Sequence, residues 1–188
     1  MSRHLTIIIY GWQASLPGHW QWWVHDELAR RGALVKFPQL SDPDHPKLDV
    51  WMRELLEIIE PHQGPVHLVT HSLGTWVADH LITRTDREFL SALQVAPPSP
   101  DLMFEDVETF FPPPMDTARW QSKVKHRLLV CGDDDIYIDP PEQEKIARIF
   151  DCPMKVFPNG GHINIDSGFG PFPFALEWLK SCGLPELS

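Results

Sequence analysis

The sequence predicts an α/β fold, in which a mostly parallel sheet of about six strands carries helices on both faces. Short apolar runs rich in β-branched residues, such as 5–10 and 66–70, alternate along the chain with stretches of helical periodicity. Glycine or proline stands at the end of many of these stretches, where it ends a strand or a helix. A chain of 188 residues has the length of one domain and contains no internal repeat, and we expect a single domain over residues 1–188.

The first elements are predicted from their apolarity and from the residues that end them. The strand at 5–10 is apolar on both faces, as in a central strand of a parallel sheet. A helix is expected at 20–31, because Gly32 provides a stop signal after it. A short strand follows at 33–37 and is closed by Pro38.

The middle of the chain predicts two strands and two helices. Apolar residues recur at helical spacing over 48–60, and Pro61 ends this helix. A buried-type strand at 66–70 is followed directly by an amphipathic helix at 73–83. The apolar run at 91–96 predicts the next strand.

The last third of the chain completes the alternation after an irregular segment. Residues 97–119 are rich in proline, so we expect a loop or short helices there, lying over the site. Strands are then predicted at 128–131 and 154–157, with a helix between them at 142–150 and a final helix at 173–181.

The composition argues against several classes of function. The formal net charge is −10 and no run of lysine or arginine supplies a basic patch, which disfavours nucleic-acid binding. The apolar run at 5–10 is too short for a membrane span, and we expect no membrane association. The 3 cysteines are widely spaced and form no CxxC pair, so we expect a reducing, cytoplasmic compartment.

The most informative motif is the pentad 70–74, which lies between a predicted strand and a predicted helix. Ser72 then occupies a tight turn, and the helix that follows directs its free N–H groups at a reacting oxygen. Gly74 allows the turn to close. Thr70 departs from the motif, in which glycine is usual at that position.

A candidate acid and a candidate base follow the serine in chain order. Asp135 follows the strand at 128–131, and His162 lies in a glycine-rich loop after the strand at 154–157. The order Ser72, Asp135, His162 is the order of a nucleophile-elbow triad. Three consecutive aspartates leave a choice open, with Asp135 favoured and Asp134 as the alternative.

Two backbone N–H groups are expected to form an oxyanion hole. Leu73 supplies one as the residue after the nucleophile. The loop after the first strand supplies the second, from Trp12, with Gln13 as its neighbour. His71 is adjacent to Ser72 but is expected to point elsewhere, so we interpret it as structural.

These motifs together resemble the YdeN-like family of small serine hydrolases, which includes the human retinoblastoma-binding serine hydrolase. The resemblance runs nearly end to end, and its most specific part is the histidine loop at 161–171. The other similar segments are 10–12, 18–21, Trp51, the elbow 70–74, 95–97 and 134–137, where Ile136 replaces a proline of the family.

The resemblance implies a compact α/β-hydrolase fold without a large cap domain. It also implies that Ser72, Asp135 and His162 form the catalytic triad, and it supports Asp135 over Asp134. It does not assign a natural substrate.

The polar residues of the histidine loop have an expected structural role. We expect Asn164, Asp166 and Ser167 to hold the loop through hydrogen bonds from side chain to backbone, and direct contact with substrate is the alternative.

The sequence therefore predicts a serine hydrolase that cleaves a carboxylic ester, a thioester or an amide of a small-molecule acyl substrate. No cofactor and no metal ion are expected. Aromatic residues of the loops are expected to make the acyl pocket apolar, namely Trp12, Trp20, Phe104, Phe110 and Phe111.

Two other hypotheses about the function remain open. In the first, the chain is a catalytically weak protein of the same fold that binds a protein partner, whose identity the sequence does not specify. In the second, the aspartates 133–135 hold a metal ion together with histidines, although no HExxH spacing supports this.

Overall fold

The sequence predicted a mostly parallel sheet, and every strand pair in the described residues is parallel. A computed structural model describes residues 3–102 and 104–185. The strands of the described chain form one 6-stranded sheet in the order β2-β1-β3-β4-β5-β6. The strands are β1 Leu5–Ile9, β2 Leu34–Lys36, β3 Val66–His71, β4 Phe89–Val95, β5 Val124–Gly132 and β6 Met154–Phe157.

Helices connect these strands and cover both faces of the sheet. They are α1 Trp20–Arg30, α2 Leu48–Ile59, α3 Leu73–Arg84, α4 Thr117–Lys123, α5 Pro140–Ile149 and α6 Pro173–Ser181, with a 3-10 helix at Glu105–Phe110. None of the helices in the described residues is both long enough and apolar enough to cross a membrane.

The core consists of two layers, one on each face of the sheet. Successive residues of β1 point to opposite faces, so Ile7 and Ile9 pack in one layer and Ile8 packs in the other. The first layer includes Trp51 of α2 and residues of α3, α4 and α5. The second includes Trp20 of α1 and residues of α6. Both faces of β1, an interior strand of the sheet, are thus buried, which explains its continuous apolar sequence.

The boundaries differ from the predicted ones where the local pattern is weak. β5 begins at Val124 rather than at 128, because its polar first residues still pair with β4 from Phe89 onward. α5 begins at Pro140, where Asp139 accepts a hydrogen bond from the Glu142 N–H (2.9 Å) and caps the helix. The irregular segment contains the 3-10 helix and the start of α4, which were expected there only as unspecified short helices.

The strand order places a crevice at the carboxyl ends of β1 and β3. The chain runs outward from β1 to β2 and then crosses back over β1 to β3, so the direction of winding reverses between β1 and β3. In open α/β sheets the carboxyl ends of the strands at such a reversal form the binding crevice. The turn with Ser72 follows β3, and the loop with Trp12 follows β1, so both lie there.

Candidate active site

Ser72 lies on a strained turn between β3 and α3. Its backbone has φ 53° and ψ −129°, a conformation that residues with a side chain rarely adopt. The Ser72 N–H donates to the Val95 carbonyl (3.0 Å), and the Ser72 carbonyl accepts from the Thr75 hydroxyl (2.7 Å). These bonds on both sides hold the side chain of Ser72 at the carboxyl end of the sheet.

Two glycines allow β1 to approach this turn closely. A Cβ at Gly74 would lie 2.5 Å from the carbonyl oxygen of Tyr10, which is closer than real Cβ contacts come. A Cβ at Gly11 would lie 2.7 Å from the Cβ of Ser72. The absence of both side chains is therefore a condition for this arrangement of the turn.

Thr70, the departure from the elbow motif, does not crowd the turn. It belongs to β3, one residue before the end of the strand, and is buried. Its hydroxyl lies 3.1 Å from the Leu93 carbonyl and within hydrogen-bond distance of the Gln94 Oε1 on β4. Because the backbone leaves the extended conformation only at Ser72, a β-branched residue fits at position 70.

The three predicted triad side chains lie together. The Nε2 of His162 is 2.8 Å from the Ser72 Oγ, and its Nδ1 is 2.8 Å from the Asp135 Oδ2. The other carboxylate oxygen of Asp135 accepts the Tyr137 N–H (3.0 Å), which fixes the orientation of the carboxylate. The Asp135 side chain has an exposed fraction of 0% and that of His162 is 9%, so water is largely excluded from this pair.

The two neighbouring aspartates contact the histidine loop and not the imidazole. The Asp133 Oδ1 accepts the Asn159 N–H (2.7 Å), and the Asp134 Oδ1 accepts the Gly161 N–H (2.6 Å). The alternative of Asp134 as partner of the imidazole is therefore not the arrangement observed. The run of carboxylates holds the loop at three points, one of them the ring of His162.

The histidine loop is also held by residues that the sequence did not single out for this role. The indole Nε1 of Trp20, on α1, donates to the Ile163 carbonyl (2.9 Å). Within the loop, the Asn164 side chain accepts from both the N–H and the hydroxyl of Ser167 (3.0 Å each), as expected for a side chain that holds the loop. Asp166 is exposed and lies in the wall of a cleft.

The residues of both predicted oxyanion donors, Trp12 and Leu73, lie at the wall of the same cleft as Ser72 and His162. In residues 3–102 and 104–185, neither the Trp12 amide nor the Leu73 amide donates a hydrogen bond. The neighbouring Gln13 amide, by contrast, donates to the Pro43 carbonyl (2.9 Å). A Cβ at Gly11 would lie 3.2 Å from the Leu73 nitrogen, which shows how closely the loop after β1 approaches this amide. Trp12 and Leu73 thus remain the candidates, and Gln13 does not.

Ser72 and His162 open into a cleft of about 380 Å³, within the range of small-molecule sites. Three of the five aromatic residues expected in an acyl pocket line it: Trp12, Phe104 and Phe111. The expectation was wrong for Trp20 and Phe110, which are fully buried in the core. The sequence pattern does not distinguish an aromatic residue that faces a cleft from one that faces a neighbouring helix.

The cleft carries little charge. Among its described lining residues, only Asp166 has a carboxylate. No lysine or arginine is among those lining residues. Burial, assisted by the nearby His162, lowers the pKa of His19 to about 4, so this imidazole is neutral at neutral pH. The described part of the chain holds no group of three or more His, Cys, Asp or Glu side chains placed to bind a metal ion.

Comparison with known proteins gives one family and a consistent fold. A protein described as a hydrolase, YdeN of Bacillus subtilis, is 25% identical over 181 residues, which is 93% of each chain. The crystal structure of the ydeN gene product of B. subtilis matches with a TM-score of 0.85 at 23% identity, over 95% of this chain and 97% of that one.

A monoacylglycerol lipase of Paleococcus ferrophilus shares the fold more distantly. Its crystal structure matches with a TM-score of 0.68 at 14% identity, over 95% of each chain. The family model described as serine hydrolase matches residues 6–181. The chain therefore belongs to the serine hydrolase family, and its fold is the compact α/β-hydrolase fold.

Proposed function

We propose that this protein hydrolyses a carboxylic ester through a covalent acyl-enzyme on Ser72, with His162 as the general base and acid and Asp135 as its partner. One observation carries the proposal: the imidazole of His162 is bonded at once to the Ser72 Oγ and to the Asp135 carboxylate, at 2.8 Å each. A serine hydroxyl is a weak nucleophile, and a base held at this distance can remove its proton as it attacks.

The steps follow from this geometry. His162 accepts the Ser72 proton through Nε2 while the Oγ attacks the ester carbonyl, and the buried Asp135 carboxylate stabilises the imidazolium. The amides of Leu73 and Trp12 stabilise the negative charge on the carbonyl oxygen. The imidazolium then protonates the leaving alcohol, and the acyl-enzyme remains. Water, deprotonated by His162, releases the acid and restores the free Ser72.

The lining of the cleft supports an uncharged, apolar acyl group. Of the exposed large apolar residues in the described chain, Leu16, Phe104 and Ile165 line the cleft. The absence of lysine and arginine from its described lining disfavours substrates that carry phosphate or carboxylate groups near the scissile bond. Neutral amides and thioesters could follow the same steps, but an ester has the better leaving group compared with an amide.

The alternative of a protein-binding module has less support. Binding alone would not require a buried carboxylate, an imidazole and a serine hydroxyl in one hydrogen-bonded series. For localisation, we propose the cytoplasm: Cys131, Cys152 and Cys182 are free thiols, which is in keeping with a reducing compartment.

Labelling with a fluorophosphonate probe tests the proposal. The folded wild-type protein should be labelled at Ser72 and should hydrolyse short p-nitrophenyl esters. Ser72→Ala should lose both properties, whereas Ser122→Ala, which removes an exposed hydroxyl on α4, should keep both. Folded wild-type protein that resists the probe would refute the proposal. Activity that survives a chelator would separately exclude the hypothesis of a metal-dependent hydrolase.

A further inference from the structure

His71, the last residue of β3, contacts the candidate base in an unexpected way. Its Nε2 lies 2.9 Å from the main-chain carbonyl oxygen of His162. A carbonyl oxygen can only accept, so the hydrogen of this bond must be on the Nε2 of His71. The sequence indicated only that His71 points away from the nucleophile, and the structure shows where it points.

The surroundings of His71 keep its ring neutral, with the hydrogen on Nε2. The ring is nearly fully buried, with its centroid 4.8 Å from that of His19 and 5.0 Å from that of His162. Burial, followed by the proximity of His162 and His19, lowers the pKa of His71 well below its usual value. The imidazole is therefore neutral at neutral pH, with its single ring hydrogen committed to the His162 carbonyl.

The loop that His71 contacts has a backbone that needs support. Gly161 and Ile163, on either side of His162, have φ of 50° and 47°. This left-handed conformation is unfavourable for a β-branched residue such as Ile163 and persists only where contacts impose it. The Gly161 N–H and the Ile163 carbonyl are each held by a side chain from another element, and the bond from His71 holds the residue between them.

The position of His71 next to Ser72 gives this bond a particular consequence. The dipeptide 71–72 contacts His162 twice. The His71 ring bonds the main-chain carbonyl of His162, and the Ser72 Oγ bonds the His162 imidazole. The two contacts close a ring of covalent and hydrogen bonds. In such a ring, the distance between Ser72 and His162 depends on the turn itself and not only on the distant anchors of the loop.

We propose that His71 is a positioning residue for His162, whose Nε2–H holds the base loop to the nucleophile turn so that the imidazole meets the Ser72 Oγ. This inference rests on the proposed hydrolase function. His71 itself lies at the wall of the cleft but is nearly fully buried, so loss of the bond should mainly displace the imidazole and change the substrate-binding surface little. The expected effect is therefore a fall in kcat with little change in KM.

Two substitutions at position 71 test this. His71→Phe retains a ring but lacks the donor, and kcat should fall about 10- to 100-fold with KM within about twofold of wild type. His71→Gln restores an N–H at nearly the same place, and kcat should return to within about threefold of wild type. His67→Phe is the matched control: His67 is buried and hydrogen-bonded on the same strand, away from the cleft, so this variant should lose stability but keep kcat.

The outcomes separate this inference from the proposed function. Wild-type protein that does not label or turn over refutes the function itself. An active wild type with an unaltered kcat in His71→Phe, or with equal losses in His71→Phe and His71→Gln, overturns the role of His71. NMR of the wild-type protein tests the bond without any variant: the ring nitrogens should show the Nε2–H tautomer, and the Nδ1–H tautomer would contradict the proposal.

Discussion

The Nδ1 of His162 lies 2.8 Å from the Oδ2 of Asp135, across 27 positions of sequence, in a site where the carboxylate has no exposed surface. The neighbouring Asp134 lies close enough to bond the Gly161 N–H of the same loop but does not bond the ring. Adjacent carboxylates of one loop thus have different partners, and this difference leads to the first prediction.

Asp135→Asn should reduce kcat by about 10⁴-fold, because the amide N–H₂ then faces Nδ1 and favours the imidazole tautomer that cannot accept the Ser72 proton. Asp134→Asn is the matched control, since an amide oxygen can still accept the Gly161 N–H. It should change kcat by less than about tenfold. Steady-state ester hydrolysis measures both variants. Equal losses in the two would contradict the assignment of Asp135.

Ser72→Gly should be more stable than Ser72→Ala, although both lack the nucleophile. The strain at φ 53° and ψ −129° is on the order of 1–3 kcal/mol for a residue with a Cβ, and glycine avoids it. The larger backbone entropy of unfolded glycine offsets about 0.5–1 kcal/mol of this gain. We therefore expect a difference of about 1 kcal/mol in the free energy of unfolding, measured in urea. A Ser72→Ala protein as stable as Ser72→Gly would show that the turn is not strained.

Gly74→Ala should destabilise the protein and impair the elbow. The new Cβ would lie 2.5 Å from the Tyr10 carbonyl oxygen and 2.6 Å from that of Ile9, and these backbone atoms cannot move without shifting β1. We expect a loss of about 1–3 kcal/mol in the free energy of unfolding, together with reduced probe labelling. In Gly170→Ala the new Cβ would lie 3.6 Å from its nearest contact outside the adjacent residues, the carbonyl oxygen of Gly18. Stability should therefore change by less than about 0.5 kcal/mol. Similar losses in both variants would argue against the close approach at Gly74.

The buried carboxylate of Asp79 should make stability depend on pH. It accepts from the Trp120 Nε1 (2.6 Å) and from the Met115 N–H (2.8 Å), with no exposed surface. Burial raises the pKa of Asp79 to about 6, despite these two hydrogen bonds. The folded protein therefore binds a proton between the ordinary aspartate pKa and about 6 that the unfolded chain has released. This contribution to stability is present at low pH and is lost as the pH rises through about 6.

The comparison with Asp79→Asn isolates this effect. The pKa values of buried His19 and His67 are lowered to about 4 in the folded protein. These histidines therefore destabilise both proteins as the pH falls below the pKa that they have in the unfolded chain. The difference in unfolding free energy, wild type minus variant, cancels their contribution. It should be about 1–2 kcal/mol more favourable to the wild type at about pH 5 than at about pH 7.5. Parallel pH profiles for the two proteins would contradict the raised pKa of Asp79.

Local features of the sequence were sufficient for the alternation of strands and helices and for the motif around Ser72. The double-sided apolarity of β1 reflects burial on both faces, and the strand, turn and helix around the serine are consecutive in the chain. The predicted strand at 66–70 already included Thr70, the one departure from the motif. The structure extends this strand by one residue, to His71, and shows that the backbone turns at Ser72.

The sequence by itself determined the fold class, the order of the candidate triad and the serine at its centre, because these depend on periodicity and on residues close in the chain. Only the tertiary structure decided which aspartate meets the imidazole, that Trp20 lies in the core, and that His71 bonds the His162 carbonyl. These depend on the directions of side chains on elements far apart in sequence. Such directions are set by how helices and loops pack on the sheet, which no local pattern encodes.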